Sequence, residues 1–506
     1  MPWLILVIAL LGTPFEVTRA AEPASTTTPS EHTRQEATVR QLVGEALLSR
    51  WGYDHLRELC DTVGHRLAGS PAMARAVTWS EGAMREAGLV NVHREPARVP
   101  DWTRGPESAR IVEPIEKPLT MLGLGRSVST PTGGITAPVV VVRSYDELNA
   151  LGTAGVAGRI VLYDFAWTTY SAASEFRTKG TSKAAALGAV GMLVRSATNR
   201  SHDTPHTGRL VYDPAQPKIP AASLSVESAG LIRRLTESGA DVSVHLEMDH
   251  QVGTTRDCWN VIGEVPGSAK PEEIVLINGH LDSWDVGQGA QDDGIGCLMM
   301  LEAARLIANL PERPRRTVRV AFFTDEEISG GGTGSYLEHH AAELPLHVAG
   351  FESDAGGEVA TGFSIDVRGV AVMRDSSGTM VATADTLRSF REAATLRGDI
   401  LKSLAGWSWA LGPLGARKLV AGGVGADLDE LTKFGLLGFG VSHPTEADYF
   451  DYHHSPADTF DRVDPDKMAR NAAILAVAIY LAADAPERLL PWPAQPNAPA
   501  YPSGTR

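Results

Sequence analysis

With 506 residues, 43% of them hydrophobic and 21% charged, the chain is long enough for one large domain or two smaller ones, and its make-up is that of a globular protein rather than a disordered or fibrous one. The formal net charge is -15, with no basic run beyond pairs such as Arg315-Arg316. This excludes nucleic acid as a natural partner, because phosphate binding requires clustered Lys and Arg. Three cysteines, Cys60, Cys258 and Cys297, are too few for a disulfide framework.

Residues 1–20 read as a signal peptide. The apolar run Trp3 to Leu11 is too short to span a bilayer, and Thr18 and Ala20 are the small residues expected ahead of a cleavage point. An exported protein is expected: secreted or periplasmic, or lysosomal or extracellular in a eukaryote. No other segment qualifies as a membrane span. Residues 21–38 are Ser/Thr/Pro-rich and read as a flexible leader. Apolar residues at helical spacing predict a helix over Val39 to Glu58 and a second over Arg75 to Ala87, ended by Gly88. A Pro-bearing extended stretch follows, to about Pro118.

Between residues 119 and 252 the texture changes. Val139 to Val142, Arg159 to Tyr163, Gly191 to Val194, Ile219 to Leu224 and Val242 to Leu246 are short apolar runs of strand type, with a brief helix at Ser182 to Leu187. This segment reads as a β-rich insert. From Asn260 onward strands at Val261 to Val265, Ile274 to Ile277 and Thr317 to Phe323 alternate with helices at Gly294 to Leu310 and Gly334 to His340. Such alternation predicts an α/β fold with a mixed, largely parallel sheet flanked by helices. The Pro-rich tail, residues 491–506, is expected to be disordered.

The chemistry is concentrated in this last region. Gly279-His280-Leu281-Asp282-Ser283 leads through a Gly-rich loop to Asp292-Asp293, and Asp325-Glu326-Glu327, Glu352-Ser353-Asp354 and His453-His454 follow at long intervals. His280, Glu326 and Asp354 each come just after an aliphatic strand, and open α/β sheets build their sites at those carboxyl ends. Taken singly, each has an ordinary explanation: a satisfied histidine, acids at a helix start, a polar turn. Taken together they form a set of oxygen and nitrogen donors without cysteine, which suits catalytic rather than structural zinc. Five dispersed donors are too many for one zinc that keeps an open position. They are enough for two metals that share a bridging carboxylate. Asp282 is placed to accept the second imidazole N–H of His280 and fix its tautomer.

The run from Gly279 to Ala290 and the segment Pro205-His206-Thr207-Gly208 resemble the two-zinc metallopeptidases of the aminopeptidase and glutamate-carboxypeptidase superfamily, and the resemblance extends from about Val39 to Leu490. It implies a zinc exopeptidase fold, with the catalytic domain formed by residues 39–118 and 253–490 and an inserted β-rich protease-associated domain at 119–252. It also implies two Zn²⁺ per chain. His280 and Asp354 would bind one, Glu327 and His454 the other, with Asp292 bridging them and Glu326 as general base. His454 rather than His453 takes the ligand role because His454-Ser455-Pro456-Ala457-Asp458-Thr459 matches the family's His-x-x-x-Asp-Thr run. Asp427 matches a residue that lines the substrate pocket. The chain departs from the pattern at Asp325, where relatives often have Ala, and at Gly422, where a near relative has His.

The implied activity is hydrolysis of dipeptides or short peptides, in a homodimer. Two other readings stand beside it: an aminopeptidase of the same fold with broader substrates, or a single-zinc acyltransferase of the glutaminyl-cyclase kind. A non-catalytic receptor or scaffold on the same fold should have lost donors, and none of the five is missing. Gly-x-Ser-x-Gly is absent, which counts against a serine hydrolase.

Overall fold

A computed structural model describes residues 29–366, 398–434, 436–444 and 449–489. The signal peptide expected at 1–20, residues 21–28 of the leader and the tail at 491–506 lie outside the described residues. The helix expected from Val39 starts earlier, at Pro29, and runs to Leu48 before resuming as Trp51–Glu58. Its polar first turns gave no helical signal, and tertiary contacts fix them. Arg34 Nη1 donates to the Tyr480 hydroxyl at 3.1 Å, and Gln35 Nε2 to Asp484 at 3.2 Å.

One eight-stranded sheet holds the main core. Its strands lie in the order Val90–Thr103, Gln251–Val265, Arg316–Phe323, Lys270–His280, His347–Glu352, Leu437–Ser442, Gly362–Asp366 and Lys418–Ala421. The four strands from Arg316–Phe323 to Leu437–Ser442 run parallel, with antiparallel strands outside them. The sheet is therefore mixed, with a parallel centre. All eight residues of Arg316–Phe323 are buried, as a strand covered on both faces requires. One face packs on the helices Ile295–Ala308 and Pro465–Asp484. The other packs on Tyr336, Leu337, Leu428 and Leu431. Each large aliphatic or aromatic side chain so buried contributes about 1.5–3 kcal/mol. Val90–Thr103 keeps Pro96 and Pro100 because it is an edge strand, where a missing N–H costs no ladder bond to a second neighbour.

The chain leaves this sheet at Thr103 and returns at Gln251, directly opposite. Between them lies a second eight-stranded sheet, with its members between Glu107 and Met248. It thus begins earlier than the change of texture near residue 119 indicated, because an extended Pro-bearing stretch does not reveal which sheet it joins. The layer also carries more helix than expected. Tyr145–Val156, Tyr170–Ala186 and Val226–Glu237 flank four strands, Ile135–Val142, Ile160–Tyr163, Gly191–Arg195 and Ala221–Leu224, that run parallel. Cys60, Cys258 and Cys297 are free and buried. No helix among the described residues is long and apolar enough to cross a membrane.

Candidate metal centre

The parallel register of the central strands brings the chemistry together. His280 ends its strand opposite Phe323, and Glu352 ends the next strand opposite Asn278. The acids that follow Phe323 and Glu352 therefore emerge beside His280. His280 Nε2 lies 3.2 Å from Asp292 Oδ1 and 3.5 Å from Asp354 Oδ1. On the other side of the same carboxylate, Asp292 Oδ2 lies 3.3 Å from His454 Nε2 and 3.4 Å from His453 Nε2. Glu327 Oε2 lies 3.0 Å from His454 Nε2. Two donor groups result, His280–Asp292–Asp354 and Asp292–His453–His454, each with its donor atoms within 4.8 Å of one another. Asp292 belongs to both.

The two histidines of the pair stack, with ring centroids 3.6 Å apart, so proximity to Asp292 does not separate them. Glu327 does, because its close contact is to His454. Glu326 forms no ion pair with either histidine. Its backbone N–H donates to Asp282 Oδ1 at 3.2 Å. Burial, joined by the charges of Asp354, Glu327 and Asp427, raises its carboxyl well above the ordinary range, against the opposing pull of His280. For His280 Nδ1 the nearest partner is the backbone carbonyl of Asp282 at 3.0 Å, with the carboxylate farther off at 3.7 Å. The tautomer is thus set by the Asp282 main chain, and the Asp282 side chain instead anchors the turn that carries Glu326.

Several residues that hold this geometry gave little or no signal in the sequence. Asp293 accepts from the His280 backbone N–H at 3.2 Å and from Gly296 N–H at 3.1 Å. Asp458 accepts from the backbone N–H groups of Gln291 at 2.7 Å and Asp292 at 3.2 Å, fixing the shared carboxylate's main chain. Burial, with Asp292 adding to it, pushes the Asp458 carboxyl up to about 7; its place in the His-x-x-x-Asp-Thr run was the available clue. Arg66, fully buried, donates to the carbonyls of Leu281, Gln288 and Gly289 and ties down the loop between His280 and Asp292.

Asp427 is buried and accepts from the Thr333 hydroxyl. Burial raises its carboxyl to about 7, with Thr333 opposing and Asp282 and Asp354 adding. Its Oδ2 has no hydrogen-bond partner. His206 is buried with both ring nitrogens unpartnered, and burial lowers its pKa to about 3.

The centre fits a divalent cation on its own chemistry. His280 Nε2, Asp292 Oδ2 and Glu327 Oε1 are buried and lack hydrogen-bond partners. Each such atom costs roughly 1–3 kcal/mol when left alone. Imidazole and carboxylate donors without thiolate are the set that zinc accepts in open, catalytic sites.

The fold and this donor set are those of a metallopeptidase. The model of peptidase family M28 matches residues 260–399. Carboxypeptidase Q from Mus musculus is 37% identical over 437 residues, covering 86% of this chain and 86% of its own, and the Homo sapiens protein matches to the same extent. The crystal structure of a peptidase M28 precursor from Shewanella amazonensis SB2B superposes with a TM-score of 0.81 at 32% identity, over 92% of this chain and 100% of that one. The zinc aminopeptidase BSAP from Bacillus subtilis shares the fold, with a TM-score of 0.61 at 17% identity over 87% of this chain and 97% of its own. The chain belongs to peptidase family M28.

Proposed function

We propose that the protein is an exported, zinc-dependent exopeptidase that cleaves dipeptides or short peptides, with two Zn²⁺ per chain. The observation that carries this reading is Asp292, shared by two donor groups, with its own Oδ2 and the Nε2 of His280 buried and without hydrogen-bond partners. His280 and Asp354 would hold one zinc, Glu327 and His454 the other, with Asp292 between them. Zinc bound there supplies Lewis acidity and lowers the pKa of water. The chain's own residues do the rest. Glu326, free of the donor set and partly buried, takes the proton of the attacking water on its carboxylate and delivers it to the leaving nitrogen. A base with a raised pKa is suited to that transfer. Asp282 fixes the backbone of Glu326 and, through its carbonyl, the ring of His280. Asp427, with one unpartnered carboxylate oxygen, is assigned to the substrate, where a free amino group would complement it.

In this reading the catalytic domain expected at 39–118 and 253–490 is drawn in to residues 39–103 and 251–490, where the chain leaves and rejoins the first sheet, and the second sheet is a protease-associated insert that walls off the cleft and so restricts substrate length. Contacts from that layer to the site support the wall: Thr207 N–H donates to His454 O at 2.9 Å, and Arg104 pairs with Asp285 at 2.9 Å. Tyr170 stacks on Phe450 at 4.7 Å. A homodimer is the proposed assembly. The test is hydrolysis, by zinc-loaded protein, of one dipeptide in free, N-acetylated and C-amidated forms. The free dipeptide should be cleaved fastest. Equal rates on the N-blocked form would rule out amine recognition and leave a carboxypeptidase acting on the other end.

A further inference from the structure

The second layer holds one of the metal donors from behind. Thr207 and His454, 247 positions apart, form two contacts. Thr207 N–H donates to the His454 carbonyl at 2.9 Å, and His454 Nδ1 faces the Thr207 carbonyl at 3.3 Å. An imidazole that presents a lone pair at Nε2 carries its proton on Nδ1. With Nε2 turned to Glu327 and Asp292, the Thr207 carbonyl is the acceptor within reach of that proton. His454 also has a left-handed backbone, with φ of 58°, a conformation a non-glycine residue keeps when its surroundings over-determine it.

Arg177, on the helix Tyr170–Ala186, secures this carbonyl. Its Nη1 donates to Thr207 O at 3.0 Å and lies 3.3 Å from His454 Nδ1, and its Nη2 donates to the Tyr170 hydroxyl at 2.9 Å. Arg177 is 6% exposed, and its Nε has no partner. These partners are all neutral. A guanidinium buried for fold stability alone is normally matched with carboxylates, as Arg104 of the same layer is with Asp285 and Glu107. The backbone makes room for it: a Cβ at Gly208, whose φ is 140°, would stand 2.2 Å from Arg177 Cζ.

We infer that Arg177 is a positioning residue for His454. By fixing the Thr207 carbonyl, it holds His454 in the tautomer and orientation that leave Nε2 free beside Glu327 and Asp292. The layer that carries Arg177 and the His454 side of the metal centre therefore act as one unit. The inference rests on the two-zinc reading above.

The test is zinc affinity, read by competition with a chromophoric chelator and by elemental analysis, independent of turnover. Removing an outer hydrogen-bond partner of a metal-bound histidine costs about 10–100-fold in affinity. Arg177→Met should bind one zinc as the wild type does and the other about 10–100-fold more weakly. Arg177→Lys, which keeps a charge and one donor, should fall between them. Loss of a buried cation would, on charge alone, tighten zinc binding. A second zinc bound equally or more tightly by folded Arg177→Met thus overturns the inference while leaving the two-zinc reading intact. Should Arg177→Met fail to fold, wild-type affinity in Arg177→Lys overturns it equally. A wild-type chain that holds fewer than two zincs would instead remove the reading itself, and the inference with it.

Discussion

Two adjacent glutamates separate the roles of ligand and base. Glu327 is 4% exposed and sits 3.0 Å from the imidazole of His454. Glu326 contacts none of the five proposed donors by hydrogen bond and is anchored through its backbone to Asp282. Replacing each by its isosteric amide removes a charge with almost no change in volume, so packing is held constant. For Glu327→Gln the loss falls on the metal. One of three donors on that side disappears, a change that should exceed the roughly 10–100-fold cost of losing an outer-sphere partner. Occupancy of one zinc should fall with it. For Glu326→Gln both zincs should remain, while proton transfer is lost. General-base removal costs roughly 10²–10⁴-fold in kcat, or about 2.7–5.5 kcal/mol of barrier. The assay pairs elemental analysis of gel-filtered protein with steady-state hydrolysis of a free dipeptide. Zinc lost from Glu326→Gln and retained at full stoichiometry in Glu327→Gln would refute the assignment. Two variants that keep both zinc and activity would refute the two-metal mechanism in which these glutamates act as ligand and base.

Chelation with a strong zinc ligand should abolish activity and lower the melting temperature, both restored by zinc. At a hundredfold excess over Kd, bound metal stabilises the fold by about 2.7 kcal/mol, and an unchanged melt on chelation would contradict a centre tied to the folded state. Asp427→Asn should raise KM for free dipeptides more than it lowers kcat, with zinc content unchanged; an equal fall in kcat and kcat/KM at constant KM would move Asp427 from binding to chemistry. A fourth prediction concerns His340, away from the centre. Burial opposes its charge, but hydrogen bonds to Glu95 at 2.7 Å and Glu343 at 2.9 Å outweigh that and the repulsion of Arg319, raising its pKa above 6.5. A raised folded-state pKa means its contribution is full below the unfolded value and is lost as pH rises through the folded one. The stability gap between wild type and His340→Gln, about 1 kcal/mol or less for such a partly exposed cluster, should be widest at pH 6 and shrink by pH 9. A gap that grows with pH in urea denaturation would disprove the charge argument.

The sequence by itself determined the strands and what stands at their ends. Runs such as Val318 to Phe323 are apolar at every position, which a centre strand covered on both faces demands, and they are observed there. Because parallel strands end together, the polar residues after them had to meet, and His280, Asp354 and Glu327 do; Asp292 and His454 join them from segments outside the strands. Local pattern did not determine what depends on distant chain. The helix at Pro29 is held by Tyr480 and Asp484, and the second sheet recruits Glu107–Glu113 from a stretch that reads merely as extended. His453 and His454 are neighbours of equal chemistry; the family run favours His454, and in space the approach of Glu327 is what separates them. The hold of Arg177 and Thr207 on His454, like that of Asp458 on Asp292, joins residues more than a hundred positions apart. Periodicity and turn chemistry report on a few neighbouring residues, whereas the orientation of a donor is fixed by whatever packs behind it. That is decided when the two sheets close on one another.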